Sequence, residues 1–210
     1  MEKDKSGTVE FKNIFIKFKD KEVLKDFSLE VKKGEKILIS SPSGSGKTTL
    51  LRLLMGFEVP ASGEIYVDGI QLNENSINNI RERIGYLSQK MTFRNLSVIS
   101  LIKEILSYKS NNKIKFDFEK IEKILDFLNL ETDILAKEIS QLSGGEKQRI
   151  GFLVAVILDR DIWVFDEITS SLDMDLKEKV MDYIGDTNKT VIMITHDKVP
   201  ALKKFKEVNL

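Results

Sequence analysis

The chain has no cysteine, which excludes disulfides, thiolate nucleophiles and cysteine-ligated zinc and permits a reducing compartment. Three prolines and twelve glycines are too few for a Pro/Gly-rich linker. No repeat with a period of roughly 20–50 residues is present, so solenoids and tandem arrays are excluded. Long hydrophobic runs are also missing. The longest apolar-plus-glycine stretch, Ile150 to Leu158, is about half of what a membrane-spanning helix requires. Net charge is zero, with 33 Lys plus Arg against 33 Asp plus Glu. No global field therefore recruits an anionic membrane or a nucleic acid, and no nucleic-acid partner is expected. MEKDKSGTVE at the N-terminus lacks the apolar core of a signal peptide, so a cytoplasmic start is expected.

What remains is ordinary globular material, 41% hydrophobic and 31% charged, which argues against a disordered or collagen-like chain. At 210 residues, and with about 150 in a typical domain, one full-sized domain is expected, with room for a smaller lobe. The first third reads as strands. Val9 and Phe11, then Ile14, Ile16 and Phe18, form two period-two alternations separated by Lys12 and Asn13. Phe27, Leu29 and Val31 form another before the turn at Lys33-Gly34. Ile37 to Ile39 is a continuous apolar run, the pattern of a strand buried on both faces. Ile65 to Val67 before Asp68-Gly69, and Ile84 to Leu87, read as further strands.

From about Ser97 to Leu158 the texture turns helical, with Ile121, Ile124, Leu125 and Leu128 at helical spacing. Strand signals return at Ile162 to Phe165 and at Val191 to Ile194, separated by an amphipathic helix that starts at Asp173. Apolar strands alternating with helices imply a parallel α/β core, in which ligands sit at the carboxyl ends of the strands.

Two groups of chemical side chains fall at such ends. Ser41-Pro42-Ser43-Gly44-Ser45-Gly46-Lys47-Thr48 matches G-x-x-x-x-G-K-[ST] except at its first position, and it runs from the Ile37–Ile39 strand into a helix carrying Leu50, Leu51, Leu53 and Leu54. Gly44 and Gly46 let the backbone curl so that N–H groups point inward, and the helix adds its positive N-terminal end. Such a loop is an anion cradle. Lys47 would reach the β- and γ-phosphates of a bound nucleotide, and the Thr48 hydroxyl is placed for Mg²⁺, with Thr49 following it in the cradle. If Ser41 had to adopt a positive φ, a non-glycine there would cost of order 1 kcal/mol. The second group is Asp166-Glu167, directly after the apolar Ile162–Phe165 run. It reads either as a solvated strand end or as the carboxylate pair of a magnesium-nucleotide site, one near the metal and one orienting or deprotonating water.

Leu142 to Arg149 reads LSGGEKQR. Together with SPSGSGKTT, VFDE, SSLD at Ser170 to Asp173 and THD at Thr195 to Asp197, in this order and spacing, the chain resembles the ATP-binding cassette (ABC) ATPase family over essentially its whole length. The resemblance implies a P-loop NTPase of the ABC type, an α/β fold with a mostly parallel core sheet, an antiparallel β subdomain and an inserted helical lobe. A single domain over 1–210 is expected, with about 1–90 and about 160–210 as the catalytic core and about 91–159 as the helical signature lobe.

It also implies site roles. Phe18 corresponds to the aromatic that stacks on adenine, although a strand aromatic also packs inward. Gln89 in IGYLSQ corresponds to the glutamine loop that touches Mg²⁺ and water and transmits motion to the helical lobe, and Thr48 and Asp166 to the other metal contacts. Glu167 corresponds to the general base, and His196, the only histidine, to the switch that contacts the γ-phosphate. Ser143, Gly144 and Gly145 correspond to a signature loop facing the nucleotide of an opposite subunit. Asp173 corresponds to a residue communicating across the dimer, a role compatible with capping the next helix.

ATP and Mg²⁺ are thus the expected cofactors. The expected partners are a second copy or a homologous ATPase subunit and a separate transmembrane permease, with the chain peripheral on the inner face of the membrane. A non-transport single-cassette ABC ATPase in a cell-division or assembly complex is the alternative. The stretch from Lys47 to Ser143 carries no sustained heptads, which excludes the long coiled coil that a DNA-repair or chromosome ATPase needs there. Ile168 stands where the family has Pro, and Val154 to Leu158 replace its Ala-Arg-Ala-Leu-like stretch. The DEIT wording is similar to a bacterial subgroup associated with iron export.

Overall fold

The computed structural model describes residues 8–18, 21–42 and 44–210, the side chains of Phe18 and Lys21 excepted. In chain order the elements are β1 (Val9–Phe18), β2 (Lys21–Val31), β3 (Lys36–Ser40), α1 (Lys47–Leu54), β4 (Ser62–Val67), β5 (Ile70–Gln71), α2 (Ile77–Arg81), β6 (Ile84–Leu87), α3 (Val98–Ser107), α4 (Phe118–Phe127), α5 (Gly144–Leu158), β7 (Ile162–Asp166), α6 (Met174–Asp186), β8 (Thr190–Ile194) and β9 (Lys206–Asn209). The strands form an antiparallel sheet of order β2-β1-β4-β5 and a parallel sheet of order β6-β7-β8-β3-β9.

The two alternations at the N-terminus belong to one strand. Their phase changes between Phe11 and Ile14, and there the β1–β2 register shifts, with Asn13 at φ +49°. An extra residue at this bulge returns the apolar set to the inner face, so Val9, Phe11, Ile14 and Ile16 are all buried. The Ser28 hydroxyl closes the bulge by accepting from the Asn13 backbone N–H at 2.9 Å.

Every residue of β7 and of β8 is buried, as expected for the centre of a sheet covered on both faces. Alternate side chains serve different cores. Ile162, Val164, Ile192 and Ile194 join Ile37 and Ile39 in a cluster with the leucines of α1 and the inner face of the antiparallel sheet. Trp163, Phe165, Val191 and Met193 point the other way, into a cluster with α3 to α6. Phe152 of α5 packs edge-on against Trp163 with ring centroids 6.2 Å apart. Ile121, Leu125 and Leu128 turn inward from α4 as their spacing predicts, and Asp117 caps that helix by accepting from Lys120 N at 3.0 Å. The Arg149 guanidinium joins α4 to α5 by donating to the carbonyls of Leu128 at 3.2 Å and Asn129 at 3.0 Å.

Four features are absent from the sequence reading. β5, α2 and β9 are short and mostly polar, and β2 begins at Lys21, before its apolar half. Among the described residues, no helix is long and apolar enough to cross a membrane.

Leu51 is fully buried on α1, so Leu51→Ala removes packed methyl groups and leaves a cavity beneath the loop. A loss of about 2–5 kcal/mol in unfolding free energy is expected by urea titration.

Candidate active site

The segment between β3 and α1 has the backbone of a cradle. Gly44 and Gly46 lie at φ +79° and +104°. A Cβ on Gly46 would sit 2.5 Å from Val23 Cγ1 and 3.3 Å from the Val23 carbonyl, so both conformation and space require glycine there. Ser41 is not among the positive-φ residues, and the strain considered for it does not arise. Its hydroxyl accepts from the Leu210 backbone N–H at 2.8 Å instead, tying the start of the loop to the chain beyond β9. The Ser45 hydroxyl is buried and has no hydrogen-bond partner among the described residues. Lys47 is buried, and its ammonium donates to the carbonyls of Ser41 at 2.5 Å and Pro42 at 3.1 Å. Pro42 and Thr48 are exposed and Thr49 is half-buried. Ser43 lies outside the described residues, as does the Phe18 side chain.

The structure brings the loop and the carboxylate pair together. The Thr48 hydroxyl donates to Asp166 Oδ2 at 3.2 Å. Burial pushes the Asp166 carboxyl up from its ordinary range; the Glu167 charge adds to this, while the Thr48 hydrogen bond and Lys47 oppose it. Hydroxyl and carboxylate oxygens side by side, with the carboxylate short of countercharge, form the hard-oxygen donor set that suits Mg²⁺.

Glu167 stands at φ +52°, an uncommon conformation for a side-chain-bearing residue and one that clusters at functional sites. Its N–H is held by the Ile194 carbonyl at 2.9 Å, so the turn is fixed to the end of β8. Two groups converge on its carboxylate. Gln89 Nε2 donates to Oε2 at 2.5 Å, and His196 Nε2 lies 3.4 Å from Oε1.

Beside this cluster is an arrangement that sequence reasoning missed. Asp197 accepts from Lys177 Nζ at 2.6 Å, from Thr195 Oγ1 at 3.1 Å and from the fully buried Thr169 hydroxyl. Burial opposes the Asp197 charge, but Lys177, Thr169 and Thr195 outweigh it and hold the carboxyl below its ordinary range. The THD wording signalled Asp197; nothing local signals Lys177, which reaches it from α6. Gln148 of α5 was also unassigned. Its amide donates to Ser170 Oγ at 2.9 Å and accepts from Ser171 N at 3.1 Å, fastening α5 to the segment after Glu167.

Ser143 and Gly144 are exposed at the start of α5, and Gly145 is half-buried there. Ser143 Oγ accepts from Glu146 N at 3.2 Å while Glu146 Oε2 accepts from Ser143 N at 2.8 Å, a reciprocal cap. These Ser143 bonds hold the Glu146 carboxyl below its ordinary range. A Cβ on Gly144 would meet nothing within 4 Å, and one on Gly145 would press on the Ser171 carbonyl at 2.9 Å. The Ser143–Gly145 segment therefore has one face open and one face seated on the segment leading to Asp173. Asp173 caps α6 by accepting from Leu176 N at 2.9 Å.

Because the Asp197 carboxyl is depressed in the folded chain, its stabilisation is fully present above the unfolded value of about 3.9 and is lost as pH falls through the folded value. Asp197→Asn should cost about 1–3 kcal/mol at pH 7, with the gap to the parent narrowing as pH falls below about 3.9. Urea midpoints measured across pH 2.5–7 check this.

The family described as ABC transporter matches residues 24–170. The energy-coupling factor transporter ATP-binding protein EcfA1 of Mycoplasmopsis pulmonis is 33% identical over 204 residues, spanning 93% of this chain and 76% of that one. The spermidine/putrescine import ATP-binding protein PotA of Thermotoga maritima is 32% identical over 213 residues, spanning 97% of this chain and 56% of the relative. Among solved structures, the dimeric post-hydrolysis state of the ATP-binding cassette MJ0796 bound to ADP and Pi superposes with a TM-score of 0.77 at 27% identity, covering 96% of this chain and 94% of that one. The chain belongs to the ABC transporter family, as one of its ATP-binding, ATP-hydrolysing cassettes.

Proposed function

We propose that this chain is the ATPase subunit of a membrane ABC transporter, cytoplasmic and peripheral, with Glu167 as the base that activates the attacking water. The observation that carries the reading is the Glu167 carboxylate, clamped between Gln89 at 2.5 Å and His196 at 3.4 Å immediately after a carboxylate hydrogen-bonded to Thr48. The loop N–H groups and Lys47 bind the triphosphate, and the buried Ser45 hydroxyl gains a phosphate oxygen as partner. Phe18 supplies the adenine contact. Thr48 and Asp166 would hold Mg²⁺, with Gln89 at its edge. When bound there, Mg²⁺ would supply charge neutralisation for the phosphates.

Glu167 accepts the proton of the attacking water while Gln89 orients that water, and His196 donates a hydrogen bond to the γ-phosphate without acting as the base. The Ser143–Gly145 tip offers backbone N–H groups to a second anion. One phosphate loop and one signature per chain are satisfied together when two chains face head to tail, so a twofold dimer with a second copy or a homologous subunit completes two sites. Asp173, beside the signature seat, communicates between them. With no spanning helix among the described residues, cargo movement falls to a separate transmembrane permease. The two relatives described above serve different transporters, neither of them named for iron, so the reading carries no cargo.

Glu167→Gln should lower kcat for ATP hydrolysis about 100- to 1,000-fold and yield a dimer that persists in ATP, read by phosphate release and light scattering. Unchanged phosphate release would overturn the assignment of the base. Asp166→Asn should raise the Tm of the nucleotide-free protein, because its carboxylate is penalised by burial, while abolishing Mg²⁺-dependent turnover. A lower Tm together with retained turnover would remove Asp166 from the metal site.

A further inference from the structure

Gly151 lies in the interior of α5, where glycine is about 1 kcal/mol worse than alanine. Its φ is not positive, so the residue is not needed for backbone freedom. Space explains it. A Cβ at this position would sit 2.2 Å from Met91 Sδ and 2.9 Å from Met91 Cε, with Leu87 Cδ2 at 3.5 Å. The missing methyl group is a socket for two residues that flank Gln89 in the chain, Leu87 at the end of β6 and Met91 in the loop beyond it. Leu87 is buried, and Met91 is half-buried against the same cluster. The methionine is therefore a seated knob, not a side chain lying free in solvent.

The same helix carries Ser143 and the signature glycines at its N-terminus, about 12 Å away along the axis at 1.5 Å per residue. The loop bearing Gln89 thus rests on the rod that bears the signature, and Gln89 reaches from that seat to Glu167. We infer that Gly151 and Met91 are positioning residues, a knob and socket that sets Gln89 against the Glu167 carboxylate. The inference rests on the assignment of Gln89 and Glu167 to the reacting water.

The test is steady-state ATPase kinetics and thermal unfolding on the full chain carrying Gly151→Ala, Met91→Ala, both changes together, or Gln89→Ala. Gly151→Ala should leave Tm unchanged or higher, because alanine favours the helix, and leave KM for ATP within twofold, because the phosphate loop is untouched. Its kcat should fall about fivefold or more as Met91 is expelled. Met91→Ala should lower kcat about two- to threefold by emptying the socket. The double variant should recover to the Met91→Ala level, since the small side chain makes room for the new methyl group. A parental kcat in Gly151→Ala, or a double variant no faster than Gly151→Ala, overturns the inference. If Gly151→Ala folds poorly, Met91→Ala decides alone, and a parental kcat there overturns it equally. Gln89→Ala separates the two levels. A large loss there with none in Gly151→Ala sinks only the knob and socket, whereas a parental kcat in Gln89→Ala sinks the role of the glutamine itself.

Discussion

The site depends on one constraint, a central strand buried on both faces that ends in a carboxylate. β7 commits Ile162 and Val164 to one core and Trp163 and Phe165 to the other, so a slip of one residue would exchange the two sets and lose both. Asp166 inherits that rigidity. It cannot retreat into solvent from a strand whose every residue is buried, and its displaced ionisation is the electrostatic result. The fold holds a carboxyl group where water solvates its charged form poorly.

Around this fixed carboxylate the other groups are carried by separate elements. Thr48 comes from the start of α1, Gln89 from the loop after β6, Glu167 from the left-handed turn after β7 and His196 from the segment after β8. Adjacent parallel strands β6, β7 and β8 bring the last three to one edge of the sheet, where side chains far apart in sequence meet. α5 spans the neighbourhood. Through Gln148 it grips Ser170 and Ser171, through Arg149 it grips the end of α4, and its tip bears Ser143 and Gly144. A helix tied at so many points transmits displacement as a rigid body, because packed cores shift between discrete arrangements and do not deform continuously.

Much of this was legible before any coordinates, and the boundary is physical. Runs such as Ile37–Ile39, Ile162–Phe165 and Val191–Ile194 announce themselves because burial on both faces leaves no room for polar residues. The phosphate loop is legible because its chemistry is contiguous, with the glycines, Lys47 and Thr48 acting within one turn of chain. β9 was not legible, since Lys206, Glu207 and Asn209 are exposed at the sheet edge and carry no apolar alternation. The bulge at Asn13 appeared only as a break in phase, and its repair within one strand is a property of pairing. Contacts such as Lys177 with Asp197 or Met91 with Gly151 join distant segments, and no local pattern records them.

The inward fold of Lys47 has a consequence for how the cradle fills. Its ammonium is already out of bulk solvent and coordinated by two carbonyl oxygens of its own loop. An anion reaching this ammonium would replace carbonyl partners already in place, so much of the cost of desolvating the lysine is met during folding.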